Sequence, residues 1–538
     1  AIESLSSSLL QEPRGKHAPQ VCQRLAEALF RAGRDDESQR TLEKMLRAFP
    51  DHELTESTLF QLAELKVGSN ETNHARRRYQ ELLEKYPNSK WATDARMRLA
   101  ELAADDGDYS RVERVVTELI DVNAPTEKTL AKALILRANA RRHQNKHNEC
   151  LEDCDRFLNL DNQMPQRWDV MLMQAQSQRE MTLLDAAKAT LVRINQQNPS
   201  YEHRDQVIYQ MAWVDLLQGR KKEAVGHFET LAGTFPHSRH TAEARFHTGQ
   251  YKYKNREFEL AAEDFRTAAQ LGEGTIREKS LYKKGWCHVH LKDYESSLQT
   301  FKTLTADFPE GKLTRDGRFM TAESHFRLGH DLRALHIYLE LSDDRDLNPQ
   351  ARELVHLHGS QIANRLKKSR VALAWLEPMG ELFPESQYLT RAKLEIARAY
   401  RNEEKLLDAE YEYAELAREL NDLIGATARY ELAGVFRQQN QLGRAVREFQ
   451  TLMYGYGGKS APDEIRDLQA QAALVAAECE SEMADQPGRG SRSRHIAKAQ
   501  KMYRYVVTSH SRSKWAPEAQ RQLNRMAAAA DEANQTLR

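Results

Sequence analysis

The chain has 538 residues and carries 79 Lys and Arg against 79 Asp and Glu, so its formal net charge is zero. That balance argues against a general nucleic-acid binder, an acidic tail or a polybasic membrane anchor. No stretch approaches the ~20 apolar residues of a transmembrane helix, and with 24 Gly and 15 Pro the chain is neither collagen-like nor low-complexity. Five scattered cysteines are too few for a disulfide scaffold and fix no redox compartment. The start at Ala1, without Met or a signal peptide, is expected of a processed chain or one excised from a longer protein.

Residues 1–18 are expected to supply at best a short amphipathic helix. From residue 19 one pattern recurs: an apolar run, a turn, then a second apolar run closed by an aromatic and a proline. The endings are Phe49-Pro50, Tyr86-Pro87, Phe235-Pro236, Phe308-Pro309 and Phe383-Pro384, with Asn198-Pro199 as a variant. Small residues keep the same beat in the first run: Ala26, Ala63, Ala100, Ala138, Ala175, Ala212, Gly249, Gly285, Ala322, Ser360, Ala397 and Ala433, at gaps of 36 to 38. Twelve positions later most units repeat a small residue (Ala75, Ala224, Ala261, Ala409), and four further on comes a bulky one (Tyr79, Phe228, Phe265, Tyr413). A spacing of four puts that pair on one helix face.

The physical reading is a pair of antiparallel helices that approach closely where side chains are small, with the bulky residue filling the space beside the crossing. Gly33, Gly107, Gly219 and Gly329 fall at the turn between helices, where positive φ is useful. Proline stops the second helix. One pair cannot bury its own face, so pairs stack into a solenoid.

These residues resemble the tetratricopeptide repeat, which has small residues at its eighth and twentieth positions, an aromatic at the twenty-fourth and proline at the thirty-second. Ala212, Ala224, Phe228 and Pro236 fill all four places, and Gly285, Phe301 and Pro309 fall in register with Ser297 at the twentieth. The mean period of 37 departs from the usual ~34. The endings Tyr86-Pro-Asn-Ser89, Phe235-Pro-His-Ser238 and Phe383-Pro-Glu-Ser386 look like bacterial cell-envelope proteins of this class, the outer-membrane assembly lipoproteins and Tol-Pal-associated coordinator proteins. The resemblance implies an all-α, right-handed superhelix of about thirteen helix-turn-helix units with a concave groove lined by first helices. Twelve units would occupy residues 19–457, a loop-extended thirteenth 458–513, and a capping helix and tail 514–538.

Candidate chemistry is thin. His143, His147, Cys150 and Cys154 have soft-ligand spacing, but the two cysteines fall in slots that other units fill with Ala and an aromatic, so they are expected in the core. Gly457-Gly458-Lys459-Ser460 looks like the end of a phosphate loop, yet Met453 stands where its first glycine belongs and a helix precedes it. His288 with His290, and His356 with His358, cannot converge at i, i+2 on a helix. Gly488–Lys501 (Arg489, Arg492, Arg494, His495, Lys498, Lys501) reads as a solvated basic loop, with an acidic or phosphate partner as the alternative. No nucleophile elbow, zincin or dinucleotide signature occurs, so no enzyme activity, metal or cofactor is expected.

The aromatic pattern says more. Tyr209, Trp213, Phe246, Tyr253, Tyr282, Trp286, Phe319 and Phe326 occupy positions five, nine or twelve of first helices. In the resembling family these positions face the groove; alternatively the longer repeat turns them into the packing between units. The same positions hold Arg179, Arg398, Arg401 and Arg437 elsewhere, which would make the groove aromatic at its middle and cationic toward its C-terminal end. Two functions fit. One is a non-catalytic scaffold whose groove takes a protein or peptide partner, with no nucleic acid expected, in the periplasm or envelope rather than the cytoplasm. The other is a repeat arm or subunit of a larger enzyme or carbohydrate-binding envelope complex. A sugar site needs aromatics beside carboxylates or amides in one pocket, and a peptide site needs a continuous groove.

Overall fold

A computed structural model describes residues 1–122, 126–160, 164–457, 460–486 and 492–536. Among the described residues every regular element is an α-helix and there is no strand. The chain divides into two compact units, Ala1–Tyr251 and Lys252–Arg538.

The first unit begins with the helix Ile2–Gln11, which buries none of its side chains. Hairpins follow: Ala18–Arg31 with Asp35–Ala48, Thr55–Gly68 with Thr72–Lys85, Ala92–Asp105 with Tyr109–Val122, and onward in the same order. The second unit repeats the device with Gly274–His290 and Tyr294–Asp307, Thr314–Arg327 and Asp331–Leu341, Pro349–Arg365 and Ser369–Leu376, Leu389–Asn402 and Leu406–Glu419, and Leu423–Gln438 and Leu442–Tyr454. The helices Asp463–Asp485, Arg492–Ser509 and Ala516–Thr536 follow.

Three local rules explain why the sequence folds this way. A single left-handed residue closes most hairpins. Gly33, Gly107, Gly219 and Gly329 take it at φ 72–76°, and elsewhere Asn70, Asn145, Asn440 and even β-branched Thr182 adopt φ near 60°. Second, the aromatic before the hairpin-ending proline leaves the helical region, as Phe49 (φ −137°, ψ 63°) and Phe235 (φ −125°, ψ 65°) do. The carbonyls of Phe49 and Phe235 then accept from the hydroxyls of Thr55 (3.1 Å) and Thr241 (2.8 Å), which open the next helix. Third, the serine of the Phe-Pro-x-Ser ending reaches back to a carboxylate at the start of the preceding first helix. Ser238 donates to Asp205 at 2.5 Å and Ser386 to Glu353 at 2.6 Å.

The core lies between the two helices of each hairpin. Phe228, Phe265, Phe301, Tyr338, Tyr413 and Phe449, all at the twenty-fourth position, are fully buried. The Phe301 ring sits so close to Gly285 that a β-carbon there would stand 2.5 Å from ring carbon Cζ. Alanine is the better helix former by about 1 kcal/mol, but the overpacking costs about 1–3 kcal/mol. Gly285→Ala should therefore lower the melting temperature, and adding Phe301→Leu should restore it.

Burial also sets an acid limit. His325 is 2% exposed, and burial first, then the charges of Lys302, His330 and Arg333, push its imidazole down to about 4. Because its folded value lies below its ordinary 6.5, the unfolded chain takes the proton more readily. The stability is complete above about pH 6.5 and drains away as the pH falls toward 4. His227, His240, His288 and His356 are shifted the same way, chiefly by burial. Denaturant midpoints at pH 7 and pH 5 should differ for the wild type, and by less for His325→Gln.

Candidate functional site

In the second unit the first helices Pro349–Arg365, Leu389–Asn402 and Leu423–Gln438 carry a polar cavity of about 890 Å³. Gln361, Asn364, Arg398 and Arg401 enter it from the ninth and twelfth helix positions, with Glu395, Tyr413 and Glu431 at its walls. A second cavity of about 440 Å³ shares Arg401, Glu431 and Gln438 with the first and adds Tyr430 and Arg437. Together they form a charged trough along the first-helix face.

Its cations are held by acids. Arg398 donates to Glu395 Oε1 at 2.8 Å and lies 3.6 Å from Glu431. Arg401 donates to the other Glu431 oxygen. Arg437 meets Glu478 at 3.1 Å and also Glu482. Burial works to lower the Arg398 value, but Glu395 and Glu431 outweigh it and hold the guanidinium charged. Each guanidinium has more N–H groups than these contacts use.

Two buried polar atoms in the trough have no partner among the described residues: the Tyr413 hydroxyl and Asn364 Oδ1. Tyr413 is 0% exposed and Asn364 6%. The Asn364 amide is oriented by its nitrogen, which donates to the Glu395 carbonyl (2.9 Å) and to Glu395 Oε2 (3.0 Å). The tyrosine is explained by the repeat. Tyr79 and Tyr338 occupy the same twenty-fourth position, and each donates to a glutamate at the ninth, Glu64 and Glu323 (2.6 Å for the latter). In the Tyr413 unit the ninth position is Arg398, a donor, so the hydroxyl loses its acceptor. Burial, and then the Glu431 carboxylate, push the Tyr413 phenol upward, which keeps it protonated.

The residues singled out in the sequence separate into three groups. Arg398 and Arg401 lie in the trough. Phe246 and Phe319 are buried, 6% and 8% exposed, and offer a partner no face. This corrects their expected groove position and favours the alternative reading, in which these rings are part of the packing. Tyr209, Trp213, Tyr253, Tyr282, Trp286 and Phe326 are half-buried. In the first unit Tyr209 stacks on His240 at 4.0 Å and donates to Glu243 at 2.6 Å, while Trp213 packs edge-on to His247 at 5.0 Å. In the second unit Tyr253 bonds His290 at 2.8 Å, Tyr282 donates to Asp316 at 3.3 Å, and Trp286 packs near His290. Phe326 stacks on His358 at 4.5 Å. One flank of each ring is thus occupied by its own neighbours.

Cys150 and Cys154 are fully buried with Leu134, Ala138 and Phe157, and no group of metal-ligating side chains occurs among the described residues. The basic segment is a correction: from Arg492 it is helix, with His495 on Glu480 (2.6 Å) and Lys498 on the same carboxylate (3.3 Å). Arg489 lies outside the described residues, as do Gly458 and Lys459. Asn364, Glu395 and Glu431 were not singled out in the sequence, and Tyr413 was read there only as a packing ring. The break in the Tyr–Glu pairing at Tyr413 and Arg398 was the available signal.

A helix-turn-helix hairpin repeated along the chain in this way defines a helical-repeat protein. The chain carries tetratricopeptide repeats: two family models of that description match residues 209–276 and 279–311. Residues 1–106 match a family described as outer membrane lipoprotein (YfiO). No curated protein matches the chain. Among solved structures, a tetratricopeptide repeat protein of Parabacteroides merdae is 13% identical at TM-score 0.31, covering 50% of this chain and 98% of its own. PilF of Pseudomonas aeruginosa is 16% identical at TM-score 0.33, covering 42% and 96%. Naa15/Naa10 bound to HypK-THB is 13% identical at 0.35, covering 98% and 90%. Repeats of this kind are generally non-catalytic, and no described helix is long and apolar enough to cross a membrane.

Because Trp213 is wedged among Tyr209, Phe228 and His247, Trp213→Glu should cost about 3 kcal/mol or more. A thermal melt that barely moves would return this ring to the binding surface.

Proposed function

We propose that the chain is an interaction scaffold of the bacterial cell envelope, and that the trough of the second unit holds an extended segment of a partner protein. The observation that carries this reading is the pair of unpaired buried atoms, the Tyr413 hydroxyl and Asn364 Oδ1. An unmade hydrogen bond in a buried site costs about 1–3 kcal/mol. A backbone amide offers both complements: its N–H serves Asn364 Oδ1, and its carbonyl accepts from Tyr413 and the spare N–H groups of Arg398 or Arg401. Acidic side chains of the partner suit the same donors. The half-buried rings Tyr282, Trp286 and Phe326 add apolar contact on their open flanks. The envelope setting is supported by the match of residues 1–106. The division into residues 1–18, 19–457, 458–513 and 514–538 belongs to the same reading, with Ile2–Gln11 and Ala516–Thr536 as terminal helices of the stack.

The test uses peptides selected from a random display library on the full chain. Tyr413→Phe removes a hydroxyl with no partner, so it should leave the melting temperature unchanged or raised, while weakening the selected peptides about tenfold. Arg401→Glu should abolish their binding. Unchanged peptide affinity in both variants would sink the proposal.

A further inference from the structure

A further cavity in the second unit has different chemistry. It measures about 450 Å³, within the ~300–1,000 Å³ range of small-ligand sites, and is lined by Met453, Tyr454, Arg466, Gln469, Tyr505 and His510. Two of its side chains are more than nine-tenths buried and carry atoms unpaired among the described residues: Gln469 Oε1 (1% exposed) and His510 Nε2 (7% exposed). The Gln469 amide is fixed, because its nitrogen donates to the Gly455 carbonyl at 2.9 Å and only nitrogen can do so. Its oxygen is therefore a free acceptor. Burial first, and then the charge of Arg466, lower the His510 imidazole, which keeps the ring neutral near pH 7.

The walls are aromatic. Tyr454 and Tyr505 meet edge to face at 5.5 Å, and Tyr505 meets His510 at 5.2 Å. Tyr505 is held in place by donating to the Met453 carbonyl at 2.8 Å. Tyr454 is 61% exposed, so a broad ring face is open. A neighbouring cavity of about 510 Å³ shares Arg466, Ser509 and His510 and adds Asp463, Asp467, Ser511, Arg512 and Ser513, with Asp463 3.7 Å from Arg466 and Asp467 3.6 Å from Lys514.

We infer that this cavity binds a neutral sugar ring of a glycan, independently of the peptide trough. A hydroxyl both donates and accepts, so one ring can serve an amide oxygen that only accepts, an imidazole nitrogen of either sense and the Arg466 N–H groups. The C–H face of a sugar lies flat on Tyr454. An anion would meet the Gln469 oxygen, which can only accept, and a cation would meet Arg466. Aromatic rings beside a buried amide in one pocket also distinguish a sugar site from a continuous peptide groove.

The test is a screen of the full chain on an array of neutral oligosaccharides, then calorimetric titration with the best ligand and with cellobiose, N,N′-diacetylchitobiose, adenosine and inorganic phosphate. At least one neutral sugar should bind, and adenosine and phosphate should not. Tyr454→Ala alters an exposed side chain, so it should keep the melting temperature while weakening the sugar about tenfold. Gln469→Met should do the same if it melts as the wild type does, and Arg401→Ala should leave sugar binding intact. No bound neutral glycan, tighter binding of adenosine or phosphate, or affinity that survives Tyr454→Ala overturns the inference.

Discussion

The packing of one large ring against one small residue governs everything else in this molecule. The rings at the twenty-fourth position, from Tyr79 to Phe449, are buried to 1% exposure or less, and the small residue at the eighth position is what allows it. That contact fixes the spacing of the two helices in a hairpin. It also creates an obligation. When the ring is phenylalanine the pocket is satisfied by shape alone; when it is tyrosine, a hydroxyl arrives in a dry place and needs an acceptor. The ninth position, one residue beyond the crossing point, is where the acceptor must stand. Glu64 and Glu323 supply it.

The candidate site is the place where that obligation is not met. Arg398 stands at the ninth position of the Tyr413 unit, and the acids nearby are committed elsewhere: Glu395 to Arg398 and Asn364, and Glu431 to Arg398 and Arg401. The pairing satisfies charge and leaves hydrogen-bonding capacity over. This is a polar surface that keeps its side chains in fixed positions without using all their N–H groups, and fixed donors lose less entropy on binding than mobile ones.

Much of the fold was legible because it depends on local rules with a strict period. The small residues at 36 to 38, the turn glycines and the aromatic–proline endings each mark a helix boundary or a crossing. The fate of the aromatic stripe was not legible. Phe246 and Phe319 share position five with Tyr209 and Tyr282, yet the phenylalanines are buried and the tyrosines half-buried. The difference is the hydroxyl: Tyr209 and Tyr282 swing toward Glu243 and Asp316, acids on the next first helix, some thirty-four residues on. Such partners belong to the next repeat, and helix periodicity within one unit contains no record of them. The basic segment failed for a similar reason. Its charges read as solvated until Glu480, on the preceding helix, is placed beside His495 and Lys498.

Repeat architecture also explains how unsatisfied groups persist. In a stack of hairpins, stability is close to a sum of local terms and nearest-neighbour contacts. A hydroxyl without an acceptor in one repeat costs about 1–3 kcal/mol there and transmits little to the rest. A domain with a single core would feel the same defect globally. The repeat can therefore hold a polar vacancy in one hairpin, as at Tyr413, and an amide oxygen without a donor in another, as at Gln469. Neither disturbs the contact of a buried large side chain with a small one that keeps a hairpin folded. The departure from the Tyr–Glu pairing at Tyr413 and Arg398, rather than the repeat's regular positions, is where hydrogen-bonding capacity is left over.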